Sequence, residues 1–451
     1  MDAKRSSFSG KIGFVFAAAG SAVGLGNLWR FPYLAAKYGG GIFLLVYIFL
    51  AVTFGFTLMI AEVAIGRKTR QSAAGAYASL HKKWGFLGKL TSIIPMIILP
   101  YYCVIGGWVV KYFATFVSGQ AGAAAGDGFF TSFISKPVEP LLWLAVFIAV
   151  TTVVVLLGVE KGIEKVSKIL MPVLVLLSIG IAIYTVTLPG AREGVKYYFT
   201  PDFRKFSPMT VLAALGQLFY SMSLAMGIMI TYGSYMRRDT NLEKSVRQIE
   251  WFDTGIAVVS GLMIVPAVFV FTGGDESTLQ AGAGLMFQML PKIFDSIPFG
   301  NIVGVVFFLL VLFAALTSAI SLMETVVSIL QDRFGWSRRR ICLLVLAGCL
   351  LLALPSSFGY GIWDSVKILG MSLLDFFDFI SNSVIMPIVA LLTCIFVGFV
   401  IRPSSIADEV KRSGRFRQEK SFTLIMKYIA PICILAILIS SILNSLGVIK
   451  I

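Results

Sequence analysis

The sequence predicts an all-α polytopic membrane protein of about eleven transmembrane helices, arranged as two five-helix inverted repeats with helices one and six unwound at mid-membrane. Three observations predict it. Of the 451 residues, 57% are hydrophobic and only 14% charged, against roughly 25% charged in a water-soluble domain. Apolar runs of about 20 residues recur, each long enough to cross a hydrocarbon core of about 30 Å as a helix. The first and sixth runs carry glycine and hydroxyl clusters where a continuous helix would want strong helix formers.

The runs place spans near residues 12–35, 41–66, 88–117, 141–158, 165–187, 208–235, 244–272, 301–331, 338–355, 366–400 and 421–446. Several exceed the length needed to cross, so they tilt or extend past the bilayer. Strands of an outer-membrane barrel would be about ten residues long and alternate in polarity, and that pattern is absent. The first run, from Ile12, is followed by no small-residue cleavage site and reads as a retained helix. The expected organisation is an amino-terminal segment (1–11), a first repeat (12–187), a loop (188–207), a second repeat (208–400), a loop (401–420) and an eleventh helix with its tail (421–451). The Gly-rich loop 273–300 has an apolar middle, Ala281 to Leu290, expected to form a short helix dipping back toward the protein.

Charge sets the orientation. Lys4, Arg5 and Lys11 precede span one, and loops on the same side are basic: Arg67 to Lys89, Arg237 and Arg238, Arg338 to Arg340, and Lys411 to Lys420. The opposite loops are sparser, although 192–205 holds Arg192, Lys196, Arg204 and Lys205. The amino terminus is therefore expected in the cytoplasm of a cell with an inner membrane, and the carboxyl terminus outside. The net charge of +15 belongs to these loops, with no stripe of basic and stacking aromatic residues, so a nucleic-acid partner is excluded. Cys103, Cys342, Cys349, Cys394 and Cys433 all lie in apolar runs and read as fillers. His81 is the only histidine, which leaves no histidine metal site.

Span one reads Gly20-Ser21-Ala22-Val23-Gly24-Leu25-Gly26-Asn27 at mid-depth. Each glycine weakens a helix by roughly 1 kcal/mol relative to alanine. Span six, at the equivalent position of the second repeat, reads Gly216-Gln217-Leu218-Phe219-Tyr220-Ser221-Met222-Ser223-Leu224-Ala225-Met226-Gly227. Paired interruptions in corresponding helices point to a binding site at the midplane. Unwound backbone offers carbonyl oxygens to a cation, and half-helix amino termini offer amides to an anion. A zwitterionic amino acid needs both. The plainer alternative is that the glycines only let neighbouring helices pack closely. That accounts for a single Gly pair better than for two matched clusters.

Arg30, Glu62, Asp253, Glu324 and Asp378 lie in or at the edge of apolar runs, where charge costs roughly 2.5–3.5 kcal/mol on insertion scales. Asp253, near the start of span seven, is a candidate counter-charge for a cation; the alternative is a loop-edge carboxylate beside Arg247. The Thr317 and Ser318 hydroxyls either bond their own helix or, with free carbonyls of span one, complete an oxygen cage suited to sodium.

The stretch from Ala19 to Pro32, A-G-S-A-V-G-L-G-N-L-W-R-F-P, resembles the first span of the neurotransmitter:sodium symporters, bacterial branch. The resemblance extends through Gly39-Gly40-Gly41, Pro100-Tyr101-Tyr102, Tyr232-Gly233-Ser234-Tyr235 and Leu316-Thr317-Ser318. Paired broken helices are known in that family, so the glycine pattern and the resemblance are one line of support. The resemblance implies sodium-driven symport by alternating access, with two sodium ions. One sodium site would use Ala22, Asn27, Ser221, Asp253 and the substrate carboxylate. The other would use backbone of Gly20, Val23 and Ala314 with the hydroxyls of Thr317 and Ser318. The substrate carboxylate would meet the Leu25 and Gly26 amides and the Tyr102 hydroxyl. Its amine would meet carbonyls of Ala22, Tyr220 and Ser221 and the Ser223 hydroxyl. Ile98, Ile105, Tyr220, Met226, Ser318 and Leu322 would line the side-chain pocket. Arg30 and Asp378 (less readily Asp375) would form an outer gate, with Tyr102 and Tyr220 as its lid. Arg5 and Asp332 would form an inner gate near Ser234 and Tyr235. Gly162 and Pro172 match a family motif for unwinding span five.

Three departures refine this. Gly24 stands where amine-transporting members carry an aspartate, which favours substrates that bring their own carboxylate. Asp253 stands where chloride-dependent members have a neutral asparagine, which implies chloride independence. Met226 fills a commonly aromatic position and suits varied apolar or aromatic side chains. The expected function is symport of a neutral, hydrophobic or aromatic L-amino acid. The rivals are proton coupling through Asp253 or Glu62, and a non-transporting sensor of the same fold. A membrane enzyme is disfavoured, because the chain has no catalytic histidine, metal-ligand cluster or Gly-x-Ser-x-Gly elbow. No oligomeric state follows from the sequence.

Overall fold

A computed structural model describes residues 6–273 and 282–445. Among the described residues, nine helices are long and apolar enough to cross a membrane: Gly41–Thr69, Lys82–Val117, Glu139–Leu156, Val159–Val186, Leu242–Thr272, Gly300–Phe334, Arg338–Phe358, Leu373–Val400 and Glu419–Leu443. A tenth span is the pair Lys11–Ala22 and Gly26–Lys37, bent by 52° at its break. The eleventh is the pair Pro208–Ser221 and Ile228–Tyr235, whose halves are each too short to cross alone. In chain order these are spans one to eleven, with the two broken ones at positions one and six.

Span boundaries move where a local signal outweighs hydropathy. Span five starts at Val159, six residues before the apolar run. Gly158, at φ +87°, reverses the chain at once, and Glu160, Lys161 and Glu164 wind into a wide first turn. Span five then runs wound through Gly162 and Pro172 to Val186, so the Gly–Pro pair does not mark an unwound segment in this structure. Span ten starts at Leu373, because Ser372 caps it by accepting from the Asp375 backbone N–H at 3.2 Å. The described part of the 273–300 loop is helical over Leu285–Met289 and Leu290–Ser296 and buries Leu285, Phe287 and Leu290. Ala281 lies outside the described residues.

Between apolar helices in lipid, close packing replaces the hydrophobic effect as the main source of attraction. The half-helix Ile228–Tyr235 shows how close. A Cβ at Gly233 would stand 2.4 Å from the Val63 carbonyl oxygen, so span two and this half-helix touch backbone to backbone. The basic end of span two is tied further by Arg67, wholly buried, which donates to Glu409 Oε1 at 2.8 Å, the Thr240 carbonyl at 2.9 Å and Ser413 Oγ at 3.0 Å. The helix Pro403–Lys411 is thereby tied to the basic end of span two. The cysteines are free thiols, four of them buried.

Candidate functional site

The first break opens at Val23, whose φ of −75° and ψ of 98° leave the helix. The chain turns helical again at Leu25. Asn27 bridges the gap: its Oδ1 accepts from the Gly24 N–H at 3.2 Å, and its Nδ2 donates to Asp253 Oδ1 at 2.8 Å. Asp253 therefore belongs to the interior. It is fully buried, accepts from Ser221 Oγ at 2.6 Å and Tyr47 Oη at 3.4 Å, and ties both breaks to span seven. Among the described residues, no Lys or Arg nitrogen comes within 4.0 Å of it. The edge reading beside Arg247 fails, because that guanidinium lies 4.5 Å over the Phe56 ring.

The second break spans residues 222–227. Ser223 and Ala225 take the left-handed conformation at φ 53° and 60°, a strain of about 1–3 kcal/mol each for residues with a Cβ. Two contacts offset it. Ser223 Oγ donates to the Ser21 carbonyl at 2.9 Å, and Glu62 Oε1, from span two, accepts from the Ala225 N–H at 2.6 Å. Glu62→Leu removes that acceptor. It is expected to lower uptake about fivefold, matching the ~1 kcal/mol of one hydrogen bond, while Glu62→Gln, which keeps an acceptor oxygen, loses less. Initial uptake rates at saturating substrate check it, and equal rates for both variants count against the role.

The breaks enclose a chamber of about 40 Å³. Every predicted substrate residue borders it except Ile105: Ala22, Leu25, Gly26, Ile98, Tyr102, Tyr220, Ser221, Ser223, Met226, Ser318 and Leu322. Ile105 lies higher, in the wall of a vestibule of about 380 Å³ on the less basic side. Tyr220 walls both cavities and separates them, and a Cβ at Gly26 would stand 2.4 Å from its ring. Tyr102 Oη is buried with no partner among the described residues. A Cβ at Gly24 would lie 2.8 Å from Ser318 Oγ and 3.4 Å from Tyr102 Oη, so a side chain there would occupy the space in front of those hydroxyls. Ser318 Oγ lies 3.4, 3.2 and 3.5 Å from the carbonyl oxygens of Gly20, Ser21 and Val23. Thr317 Oγ1 reaches the Ala314 carbonyl at 3.1 Å, and a Cβ at Gly20 would meet the Thr317 side chain at 3.2 Å. The residues expected around the second ion thus converge, with the Ser21 carbonyl added.

Arg30 and Asp378 both line the vestibule, but among the described residues no ion pair of 4.0 Å or less joins them. Arg30 lies 5.3 Å over the Tyr220 ring, and Asp378 Oδ1 accepts from Asn382 Nδ2 at 2.8 Å. On the basic side, Asp332 accepts from the Ser72 N–H at 2.8 Å, while its expected partner Arg5 lies outside the described residues. Ser234 Oγ donates to the Thr231 carbonyl at 2.6 Å. Tyr235 Oη donates to Glu324 Oε1 at 2.8 Å, and the Arg338 guanidinium holds both oxygens of that wholly buried carboxylate.

The model of the sodium:neurotransmitter symporter family matches residues 5–123 and 130–448. The chain belongs to that family. This symporter is 35% identical to the Bacillus subtilis protein named uncharacterized sodium-dependent transporter YhdH, over 98% of each chain. It is 34% identical to an uncharacterized sodium-dependent transporter of Haemophilus influenzae, over 97% of this chain and 98% of the relative. It superposes on the crystal structure of MhsT in complex with L-phenylalanine with a TM-score of 0.87 and 39% identity, covering 97% of this chain and 100% of that one. The symporter is thus a sodium-dependent, multi-pass membrane transporter and not an enzyme.

Sequence reasoning about the symporter missed Asn382, Ser21 and Ile228 at the chamber and Arg338 on Glu324. The Glu324 charge inside an apolar run was the available signal for the last, since such a group calls for a partner. Asn382 carried no signal of that kind.

Proposed function

We propose that this symporter carries a neutral, hydrophobic or aromatic L-amino acid into the cell by alternating access, coupled to two sodium ions and independent of chloride. The observation that carries the reading is Asp253: a buried carboxylate, held between the two helix breaks by Asn27 and Ser221. A buried charge is tolerable when paired, and sodium beside the Ala22 carbonyl, Asn27, Ser221 and the substrate carboxylate supplies the pairing. The fixed charge does the work that chloride would otherwise do. Gly20, Val23, Ala314, Thr317 and Ser318 provide hard oxygens for the second ion. Gly24 leaves the space a substrate carboxylate needs before Tyr102 and the Leu25 and Gly26 amides. The amine faces the Ala22, Tyr220 and Ser221 carbonyls and Ser223 Oγ. The side chain lies among Ile98, Met226 and Leu322, with Ile105 above. MhsT, so similar in fold, has been crystallised with L-phenylalanine. The basic face is the cytoplasmic one, which puts Asp332, Ser234 and Tyr235 at the inner gate with Arg5.

The test is uptake of each of the twenty amino acids into proteoliposomes with sodium and proton gradients imposed separately. Uptake of apolar or aromatic amino acids is expected with the sodium gradient, to vanish in choline and to persist in gluconate. Uptake driven by protons alone, or stimulated by chloride, contradicts the reading. Arg30→Ala is expected to slow uptake roughly tenfold, the ~1.5 kcal/mol of a charge-assisted contact made when the vestibule closes on Asp378. A normal rate removes Arg30 from the outer gate.

A further inference from the structure

Asn382, on span ten, is only 8% exposed and borders both the chamber and the vestibule. Its two Nδ2 protons have two acceptors, Tyr101 Oη at 2.9 Å and Asp378 Oδ1 at 2.8 Å. Tyr101 Oη accepts there and also lies 3.3 Å from Ser381 Oγ, which donates to the Phe377 carbonyl at 2.7 Å. Turning the amide over would set its carbonyl oxygen against the Asp378 carboxylate, so the network fixes the orientation. Asn382 Oδ1 is then left buried, with no donor among the described residues. A buried acceptor is costly to leave unmatched.

The chamber wall also carries the apolar side chains of Ile98, Met226, Ile228 and Leu322. Tyr102 and Ser223, also in that wall, are the groups assigned above to the substrate's carboxylate and amine. We propose that Asn382 is a specificity-determining residue, whose Oδ1 accepts a hydrogen bond from the tip of an aromatic substrate side chain. The favoured substrates are then amino acids carrying a phenol O–H or an indole N–H. A site built to bond such a group discriminates against the analogue lacking it, because the acceptor is otherwise left unpaired. This rests on the amino-acid reading given above and narrows it.

Competition against sodium-driven uptake of tritiated L-phenylalanine, L-leucine, L-tyrosine or L-tryptophan separates the two claims. Tyrosine is compared with 4-fluorophenylalanine, and tryptophan with 1-methyltryptophan, each pair differing at the donor. In the unaltered protein, at least one natural member is expected to bind about fivefold or more tighter than its donor-free analogue, the yield of one hydrogen bond. In Asn382→Leu, of similar size, that ratio is expected to fall to about one. Absence of uptake for all four labelled amino acids sinks the amino-acid reading itself. Uptake with no preference for a donor in the unaltered protein overturns the role of Asn382, whether or not the variant folds. So does an equal loss for phenylalanine and tyrosine in Asn382→Leu, which would make the residue a support for Asp378 and the gate.

Discussion

Asp253→Ala is expected to lower the apparent sodium affinity at least about 100-fold and to reduce uptake to background at ordinary sodium concentrations. The substitution removes the carboxylate held between the breaks by Asn27 and Ser221. It also strands the Asn27 amide and the Ser221 hydroxyl, which donate to that carboxylate at 2.8 and 2.6 Å. Loss of a buried charged partner costs about 3 kcal/mol, or roughly 150-fold in binding. Asp253→Asn separates charge from shape. The amide keeps an oxygen for Ser221 and loses only the charge, so a smaller fall in sodium affinity is expected, together with stimulation by chloride. Radioactive sodium binding and uptake in chloride against gluconate read both effects. Unchanged sodium half-saturation in Asp253→Ala would remove Asp253 from the ion site. The absence of any chloride response in Asp253→Asn would leave the charge-substitution argument without support.

The fold was legible because each signal was strong and local. Apolar runs announce spans through the price of exposing polar backbone in lipid, and the matched clusters at residues 20–27 and 216–227 announce the two breaks. Chamber residues on those breaks were legible for the same reason. Features set by tertiary contact were not. The reversal at Gly158 hides the start of span five, because hydropathy reads Glu160, Lys161 and Glu164 as loop. Ile105 stands two turns above Ile98 on a single helix, and periodicity alone cannot say which of them faces the chamber and which the vestibule. Asn382 is an uncharged polar residue well inside an apolar run, and nothing in the sequence gives it a direction until Tyr101 and Asp378 are seen to orient it. Arg338 was one of three arginines marking a basic loop; burial of Glu324 on the neighbouring span is what turns it inward.

That last contact has a large expected consequence. Arg338→Met is expected to leave the symporter resting open toward the basic face, with uptake reduced about 100-fold. Glu324 is wholly buried, and its charge is compensated by Arg338 together with the Tyr235 hydroxyl of span six. Breaking a buried pair from one side costs about 3–5 kcal/mol; the Arg338 side chain is 20% exposed, which argues for the lower figure. The cost falls only on the closed arrangement, where Glu324 is dry. The equilibrium therefore moves toward the open one by the same amount, roughly 150-fold. Cys342 reports the change, being fully buried one helical turn beyond Arg338. Its labelling by a thiol reagent, located by mass spectrometry, should accelerate in Arg338→Met. The double variant Glu324→Gln/Arg338→Met removes the lone charge, so both labelling and uptake should return most of the way to the unaltered values. If Cys342 labels no faster in the single variant, the pair does not hold this face shut. If the double variant behaves like the single one, Arg338 acts through its bond to the Val155 carbonyl at 2.8 Å and not through Glu324.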